Sequence, residues 1–127
     1  MLKPYLYLDK TSYAGRGVFT KEKISADIII EISPVIVMDN DDRINLDKTK
    51  LHDYIFEWGK AKDKCCMALG LVPMYNHSYK SNCEYIMDYE EDVMIVQTVR
   101  AIEKGEELTI NYNGDWNDEN KIWFDAK

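Results

Sequence analysis

Three short polar segments of the sequence carry residue types that could bind a ligand or do chemistry. Gly15-Arg16-Gly17 lets the backbone approach a ligand closely, because glycine has no Cβ. Asn76-His77-Ser78 places three hydrogen-bonding side chains after the apolar run 68–75, and their donors and acceptors need partners. Tyr112 ends a strand-like run, and a tyrosine hydroxyl in an apolar site can orient an amine. Plainer interpretations stay open: a hairpin turn, a loop-knitting cluster and a strand tyrosine with its hydroxyl at the surface.

Other catalytic or metal arrangements have little support in the sequence. The two histidines, His52 and His77, come with no nucleophile elbow, so a serine or cysteine nucleophile with a histidine base is not expected. Zinc favours cysteine pairs such as C-x₂-C over adjacent cysteines, so we expect no metal site. Cys65 and Cys66 are interpreted instead as small buried hydrophobes. Three cysteines with two adjacent do not form a disulfide framework, which favours a reducing, intracellular location, either nucleus or cytoplasm.

The overall composition restricts the class of partner. The chain has 127 residues, with 23 acidic and 16 basic side chains and a net charge of −7, and this length predicts one domain spanning 1–127. The acidic excess argues against direct binding to nucleic acid or an anionic membrane. No stretch approaches the roughly 20 apolar residues of a membrane span, and the N-terminus does not resemble a signal peptide. A basic partner, such as a lysine-rich tail, is compatible with this charge.

The elements that would position the three polar segments are predicted to be mainly short strands. Alternating or β-branched runs predict strands at Tyr5–Asp9, Val18–Thr20, Asp27–Met38, Cys83–Tyr89, Val93–Val99 and Leu108–Tyr112. Pro34 is expected to interrupt the third of these strands, because proline cannot donate to a sheet ladder. Residues 39–42 are interpreted as a polar loop, and residues 43–64 fit either helix or strand. Residues 1–112 would form the core, and the tail 113–127 carries large aromatic side chains that predict packing against the body.

Taken together and in order, the segments resemble the SET domain of S-adenosylmethionine-dependent protein-lysine methyltransferases. Gly15–Phe19 resembles the family's G-x-G segment, and Asp27–Glu31 resembles the strand that follows it. Tyr75–Cys83 is similar to N-H-S-C-x-P-N-C, and Ala101–Tyr112 is similar to I-x-x-G-E-E-L-T-x-D-Y. The resemblance implies a mainly β SET-domain (β-clip) fold of several short curved sheets and few short helices. It also implies a C-terminal pseudoknot between the Asn-His-Ser segment and the last strand.

The resemblance also implies roles for individual residues. The backbone of Arg16 and Gly17 would contact the cofactor, and Asn76 and His77 would hold its amino-acid and adenosine parts. Tyr112 would be the catalytic tyrosine, beside both the cofactor's methyl group and the substrate's lysine nitrogen. The cofactor would be S-adenosylmethionine, leaving as S-adenosylhomocysteine. The substrate would be a lysine in a basic protein or peptide, such as a histone.

Further expectations concern the lysine channel, zinc and assembly. Tyr54, Tyr85 and Trp116 are expected to line the channel. Tyr79 stands where zinc-bearing members of the family have cysteine, and no cysteine follows Tyr112, so the family's zinc site is not expected. Some small members are homodimers, so a homodimer is an open expectation. The alternative function is a SET-like peptide-binding module that has lost catalysis.

Overall fold

The computed structural model describes residues 1–113, so the predicted packing of the aromatic tail falls on residues outside the described part. Within it, nine strands, one α-helix and two short 3₁₀ helices follow each other along the chain. The 3₁₀ helices are Lys50–Tyr54 and Val72–Met74, and α1 is Asn40–Leu46. The strands are β1 (Leu6–Lys10), β2 (Arg16–Thr20), β3 (Ile29–Met38), β4 (Phe56–Trp58), β5 (Lys64–Ala68), β6 (Asn76–His77), β7 (Cys83–Asp88), β8 (Val93–Thr98) and β9 (Glu107–Ile110).

The strands form two sheets. One has four strands in the order β1-β2-β9-β6, and the other has five in the order β4-β5-β3-β8-β7. All neighbours are antiparallel except β6 and β9, which pair in parallel. Alternating burial along β8, with Met94, Val96 and Thr98 inside, is typical of a strand that faces the core on one side. The mainly β prediction is confirmed.

The five-stranded sheet is strongly curved. In a flat sheet of five strands, the two edge strands would lie about 19 Å apart. Here the Phe56 ring on edge strand β4 lies 5.4 Å, centroid to centroid, from the Tyr85 ring on edge strand β7. Trp58 and Tyr89 meet in the same way at 4.9 Å. The sheet therefore curls until aromatic side chains from its two edges are in contact.

The prediction that Pro34 interrupts its strand is wrong. β3 continues through Pro34, which pairs with Val93 on β8. The next residue, Val35, begins the pairing of β3 with β5. Pro34 thus lies where β3 changes its main partner, and its carbonyl still accepts a hydrogen bond of 3.0 Å from the Leu69 N–H. A proline is tolerated there because the ladder does not depend on a donor at that position.

The interpretation of residues 39–42 as a loop is also wrong. Asp39 is the N-cap of α1, and its carboxylate accepts a 2.9 Å hydrogen bond from the Asp42 N–H. Asp41 and Asp42 lie in the first helical turn, where negative charge is favoured by the helix dipole. Residues 43–64, which fitted either state, contain both: the end of α1, a 3₁₀ helix and then β4.

The β6–β9 pair brings the two C-terminal polar segments together. Asn76 lies opposite Thr109, and His77 lies opposite Ile110. The buried Asn82, five residues after β6, holds the following segment against β9, since its Oδ1 accepts from the Thr109 N–H at 2.8 Å and its Nδ2 donates to the Glu107 carbonyl at 2.8 Å. The two segments of the expected pseudoknot are therefore paired, and Tyr112 follows two residues after the end of β9.

Candidate active site

The two glycines of the N-terminal segment serve different purposes. Gly15 has a φ of +73° at the turn between β1 and β2, a conformation that other residues adopt only with strain. Gly17 is buried at the start of β2, and a Cβ there would lie 2.9 Å from Asn76 Nδ2 and would overlap the Glu107 carboxylate. The missing Cβ thus lets β2 approach Asn76, whereas the predicted close approach of this backbone to a ligand stays a prediction.

The Asn76 amide is held in one orientation. Its Nδ2 donates to the Arg16 carbonyl at 3.1 Å and to Glu107 Oε2 at 2.8 Å. Both amide hydrogens are therefore used, which leaves Oδ1 to accept from a ligand donor. The other Glu107 oxygen accepts from the Tyr13 hydroxyl, whose pKa is raised to about 12 by burial and by that hydrogen bond. The Arg16 carbonyl thus contacts Asn76, and its predicted contact with the cofactor stays a prediction.

The His77 ring presents a buried donor. Its Nδ1 lies 3.1 Å from the Tyr112 backbone N–H and accepts from it. Burial lowers the pKa of His77, which favours the neutral ring, so the proton resides on Nε2. Within residues 1–113, Nε2 is buried and has no hydrogen-bond partner. Leaving a buried donor unpaired costs about 1–3 kcal/mol, so this atom is suited to a ligand acceptor.

Tyr112 lies between His77 and an apolar wall. Its ring centroid is 5.2 Å from that of His77 and 6.1 Å from that of Phe56. Its hydroxyl donates a 2.6 Å hydrogen bond to the Tyr75 carbonyl. Burial raises the pKa of Tyr112, and the neighbouring Tyr54 adds to the effect. The side chain is therefore a neutral phenol whose proton is engaged in the hydrogen bond to Tyr75, and its oxygen acts as an acceptor toward other groups.

The three predicted channel residues have different positions. The Tyr85 hydroxyl donates to the Tyr112 backbone carbonyl at 3.0 Å, so Tyr85 holds the Tyr112 backbone in place. Tyr54, at the end of its 3₁₀ helix, is half-buried and near enough to Tyr112 to raise its pKa. Trp116 lies outside the described residues. Tyr79, at the position of the family's cysteine, contacts the His77 ring edge to face at 4.3 Å.

Several contributors to the site were not identified from the sequence. Phe56 contacts both Tyr85 and Tyr112, and Glu107 holds both Tyr13 and Asn76. The sequence does carry a signal for Glu107, because this residue belongs to the Gly-Glu-Glu-Leu segment that resembles the family's C-terminal motif. Phe56 gave no local signal, since its role depends on the curling of the sheet.

The described residues contain neither a cluster of metal ligands nor a membrane-spanning helix. Within residues 1–113, no three His, Cys, Asp or Glu side chains come together as metal ligands. Cys65, Cys66 and Cys83 are buried free thiols, which confirms the interpretation of the adjacent pair as small buried side chains. In the same part of the chain, no helix is long and apolar enough to cross a bilayer.

Comparisons with known proteins identify relatives over most of the chain. A family model described as the SET domain matches residues 15–113. The chain is 33% identical over 126 residues to an H3 lysine-37 specific histone-lysine N-methyltransferase of Schizosaccharomyces pombe, covering 98% of this chain and 80% of the relative. It is 27% identical to the histone-lysine N-methyltransferase SETD7 of Halocynthia roretzi, spanning 92% of this chain but 33% of that longer protein. A crystal structure of a Plasmodium falciparum protein assigned as a histone methyltransferase superposes with a TM-score of 0.68 at 32% identity, covering 91% of this chain and 98% of the other.

Proposed function

This chain belongs to the SET-domain family, and we propose that it binds S-adenosylmethionine through Gly17, Asn76 and His77, beside a catalytic Tyr112. The family match and the histone-lysine methyltransferase relative make the chain a protein-lysine N-methyltransferase. One observation carries the residue assignment: an oriented acceptor on Asn76, a buried donor on His77 and the Tyr112 hydroxyl occur around one pair of strands, β6 and β9.

The residues present fit this cofactor. Asn76 Oδ1 and the Arg16 carbonyl are acceptors suited to an ammonium group, and Glu107 adds negative charge next to them. His77 Nε2 is a buried donor suited to an acceptor atom. The absent Cβ of Gly17 keeps Asn76 and Glu107 in their hydrogen-bonded arrangement.

The chemistry of methyl transfer places few demands on the protein beyond alignment. S-adenosylmethionine supplies a methyl group on a positively charged sulfur, which leaves as a neutral thioether when the lysine nitrogen takes the methyl group. Tyr112 does not act as a base, because its raised pKa keeps it protonated. Its oxygen instead orients the amine, while the apolar surroundings with Phe56 favour the neutral amine that attacks. Alignment of this kind is worth up to about 7–11 kcal/mol.

We propose that the substrate is a lysine in a basic, histone-like tail. Two observations support this: the chain has a net charge of −7, and the Schizosaccharomyces pombe relative is named for lysine 37 of histone H3. The test is mass spectrometry of recombinant histones after incubation with the protein and S-adenosylmethionine. Methylated histone lysines would support the substrate class, and methylation of other basic proteins alone would contradict it.

The cofactor assignment is tested by calorimetric titration with S-adenosylmethionine. We expect Asn76→Ala to lose most of the affinity, because the acceptor Oδ1 and the bond to Glu107 disappear together. Asn45→Ala, at an exposed position in α1, is the matched control and should bind like the wild type. Equal affinity in both variants would contradict the assignment of Asn76.

Other expectations from the sequence are kept as proposals with direct tests. Homodimer formation is tested by light scattering of the purified protein. A reducing intracellular location, consistent with the buried free thiols, is tested by localising the tagged protein in its host. Absence of direct nucleic-acid binding is tested by gel-shift titration with duplex DNA and RNA.

A further inference from the structure

Behind the active site lies a buried carboxylate that the methyl-transfer chemistry does not use. Within residues 1–113, Glu31 on β3 is the one Asp, Glu, Lys or Arg side chain that is buried, with 0% exposure. It accepts three hydrogen bonds: from the Tyr75 hydroxyl at 2.9 Å, the Ser33 hydroxyl at 2.6 Å and the Leu71 N–H at 2.8 Å. Burying a carboxylate costs free energy unless hydrogen-bond donors surround it. At Glu31 the fold supplies three such donors.

The neighbouring backbone is shaped around this carboxylate. Gly70 has a φ of +66°, and a Cβ there would overlap both the Glu31 carboxylate and the Ser33 hydroxyl. The chain can therefore pass close enough for the Leu71 N–H to donate to Glu31. The 3₁₀ helix Val72–Met74 follows, and it leads directly into Tyr75 and β6. The segment before the active site is thus fitted to Glu31.

Tyr75 connects this buried cluster to the active site. Its side chain is fully buried, and its hydroxyl donates to Glu31. The carbonyl of the same residue accepts the 2.6 Å hydrogen bond from the Tyr112 hydroxyl. Burial and the adjacent carboxylate raise the pKa of Tyr75 well above its usual value, so it remains a donor to Glu31.

We propose that Glu31 is a positioning residue for methyl transfer, which fixes the Tyr112 hydroxyl by anchoring the side chain of Tyr75. The proposal rests on the catalytic role proposed above for Tyr112. Glu31 touches neither cofactor nor substrate in this scheme. Glu31 fixes the orientation of the Tyr75 peptide plane, whose carbonyl accepts the hydrogen bond from the Tyr112 hydroxyl. It thereby fixes the direction in which the Tyr112 oxygen faces the amine. A small misplacement of that oxygen is enough to reduce turnover, since alignment is the main contribution of the site.

Two substitutions separate this role from a purely structural one. Tyr75→Phe and Ser33→Ala each remove one hydroxyl donor from Glu31, but only Tyr75→Phe cuts the connection to Tyr112. We expect Tyr75→Phe to lower kcat by about tenfold to a hundredfold, with KM for S-adenosylmethionine within about twofold of the wild type because Asn76 and His77 remain. Ser33→Ala should keep kcat within about threefold, whatever its effect on Tm.

The outcomes distinguish this inference from the proposed function. If Tyr75→Phe and Ser33→Ala lower Tm alike and have the same kcat, Glu31 serves stability alone and the inference is overturned. If Tyr75→Phe raises KM for the cofactor as much as it lowers kcat, the cluster positions the cofactor site and the inference is also overturned. Tyr112→Phe, assayed beside them, tests the proposed function, because unchanged turnover in this variant would refute the catalytic role of Tyr112. If Tyr112→Phe turns over slowly while Tyr75→Phe is fully active, only the role of Glu31 is refuted.

Discussion

A single methyl group added at Gly17 should damage the cofactor site more than it damages the fold. The new Cβ would lie 2.9 Å from Asn76 Nδ2 and overlap the Glu107 carboxylate. Both are ends of side chains that can move, so we expect the free energy of unfolding to fall by less than about 1 kcal/mol. Their movement breaks the 2.8 Å bond that orients the Asn76 amide. The displaced Asn76 Oδ1 then no longer accepts from the cofactor's ammonium group. A hydrogen bond to a charged group is worth about 1.5–3 kcal/mol, so S-adenosylmethionine should bind about 10- to 150-fold more weakly.

Gly15→Ala is the matched control for Gly17→Ala. A Cβ at Gly15 meets nothing within 4 Å, but its φ of +73° strains any other residue. We expect about 1–2 kcal/mol lower stability, with cofactor affinity unchanged. Calorimetric titration and thermal unfolding of the two variants should therefore give opposite patterns. Wild-type affinity in Gly17→Ala, with its Tm unchanged, would refute the role assigned to the close approach of β2 and Asn76.

Three further outcomes are expected. Tyr112→Phe loses the hydroxyl that donates to the Tyr75 carbonyl and should lower kcat by about a hundredfold or more, with cofactor affinity in calorimetry nearly unchanged. Because the pKa of His77 is lowered in the folded protein, the unfolded chain takes up the second imidazole proton more readily than the folded chain does. Stability is therefore lost as pH falls below the ordinary pKa of 6.5. His77→Gln should therefore show a smaller loss of Tm on mild acidification, and an identical loss would contradict the assignment. Asn82→Ala leaves both the Thr109 N–H and the Glu107 carbonyl without their 2.8 Å partners and should lower the free energy of unfolding by about 2–4 kcal/mol in denaturant unfolding. A loss below about 1 kcal/mol would contradict the role of Asn82 in holding β9.

The site residues differ in how far the sequence could identify them. Asn76 and Tyr112 occur in short segments whose residue types already indicate ligand binding, and the resemblance assigned their roles. The contact between Tyr13 and Glu107 joins residues 94 positions apart, and no local pattern encodes such a distance. Glu31 is one polar residue in an apolar strand, and two of its three donors, Leu71 and Tyr75, lie 40 and 44 residues later in the chain.

The fold was predictable where a strand has a periodic pattern of its own and less so where pairing decides. The predicted strand Val93–Val99 corresponds closely to β8 at Val93–Thr98. The expectation for Pro34 fails because the sequence does not reveal which neighbour a strand pairs with at each point. The change from β8 to β5 at that residue removes the need for a donor. Tertiary pairing therefore overrides the general rule for proline in strands.

The pairing of β9 has a consequence for how the enzyme becomes active as it is made. β9 joins β2, about 90 residues earlier in the chain, to β6, so it completes contacts of very high sequence separation. Such contacts form late in folding, because loop closure must come first. A nascent chain that stops short of β9 can form much of the five-stranded sheet but holds neither Tyr112 nor a fixed Asn76. Catalytic competence should therefore appear in one step once β9 and Tyr112 have been made, and chains that stop before β9 should be inert toward their substrate.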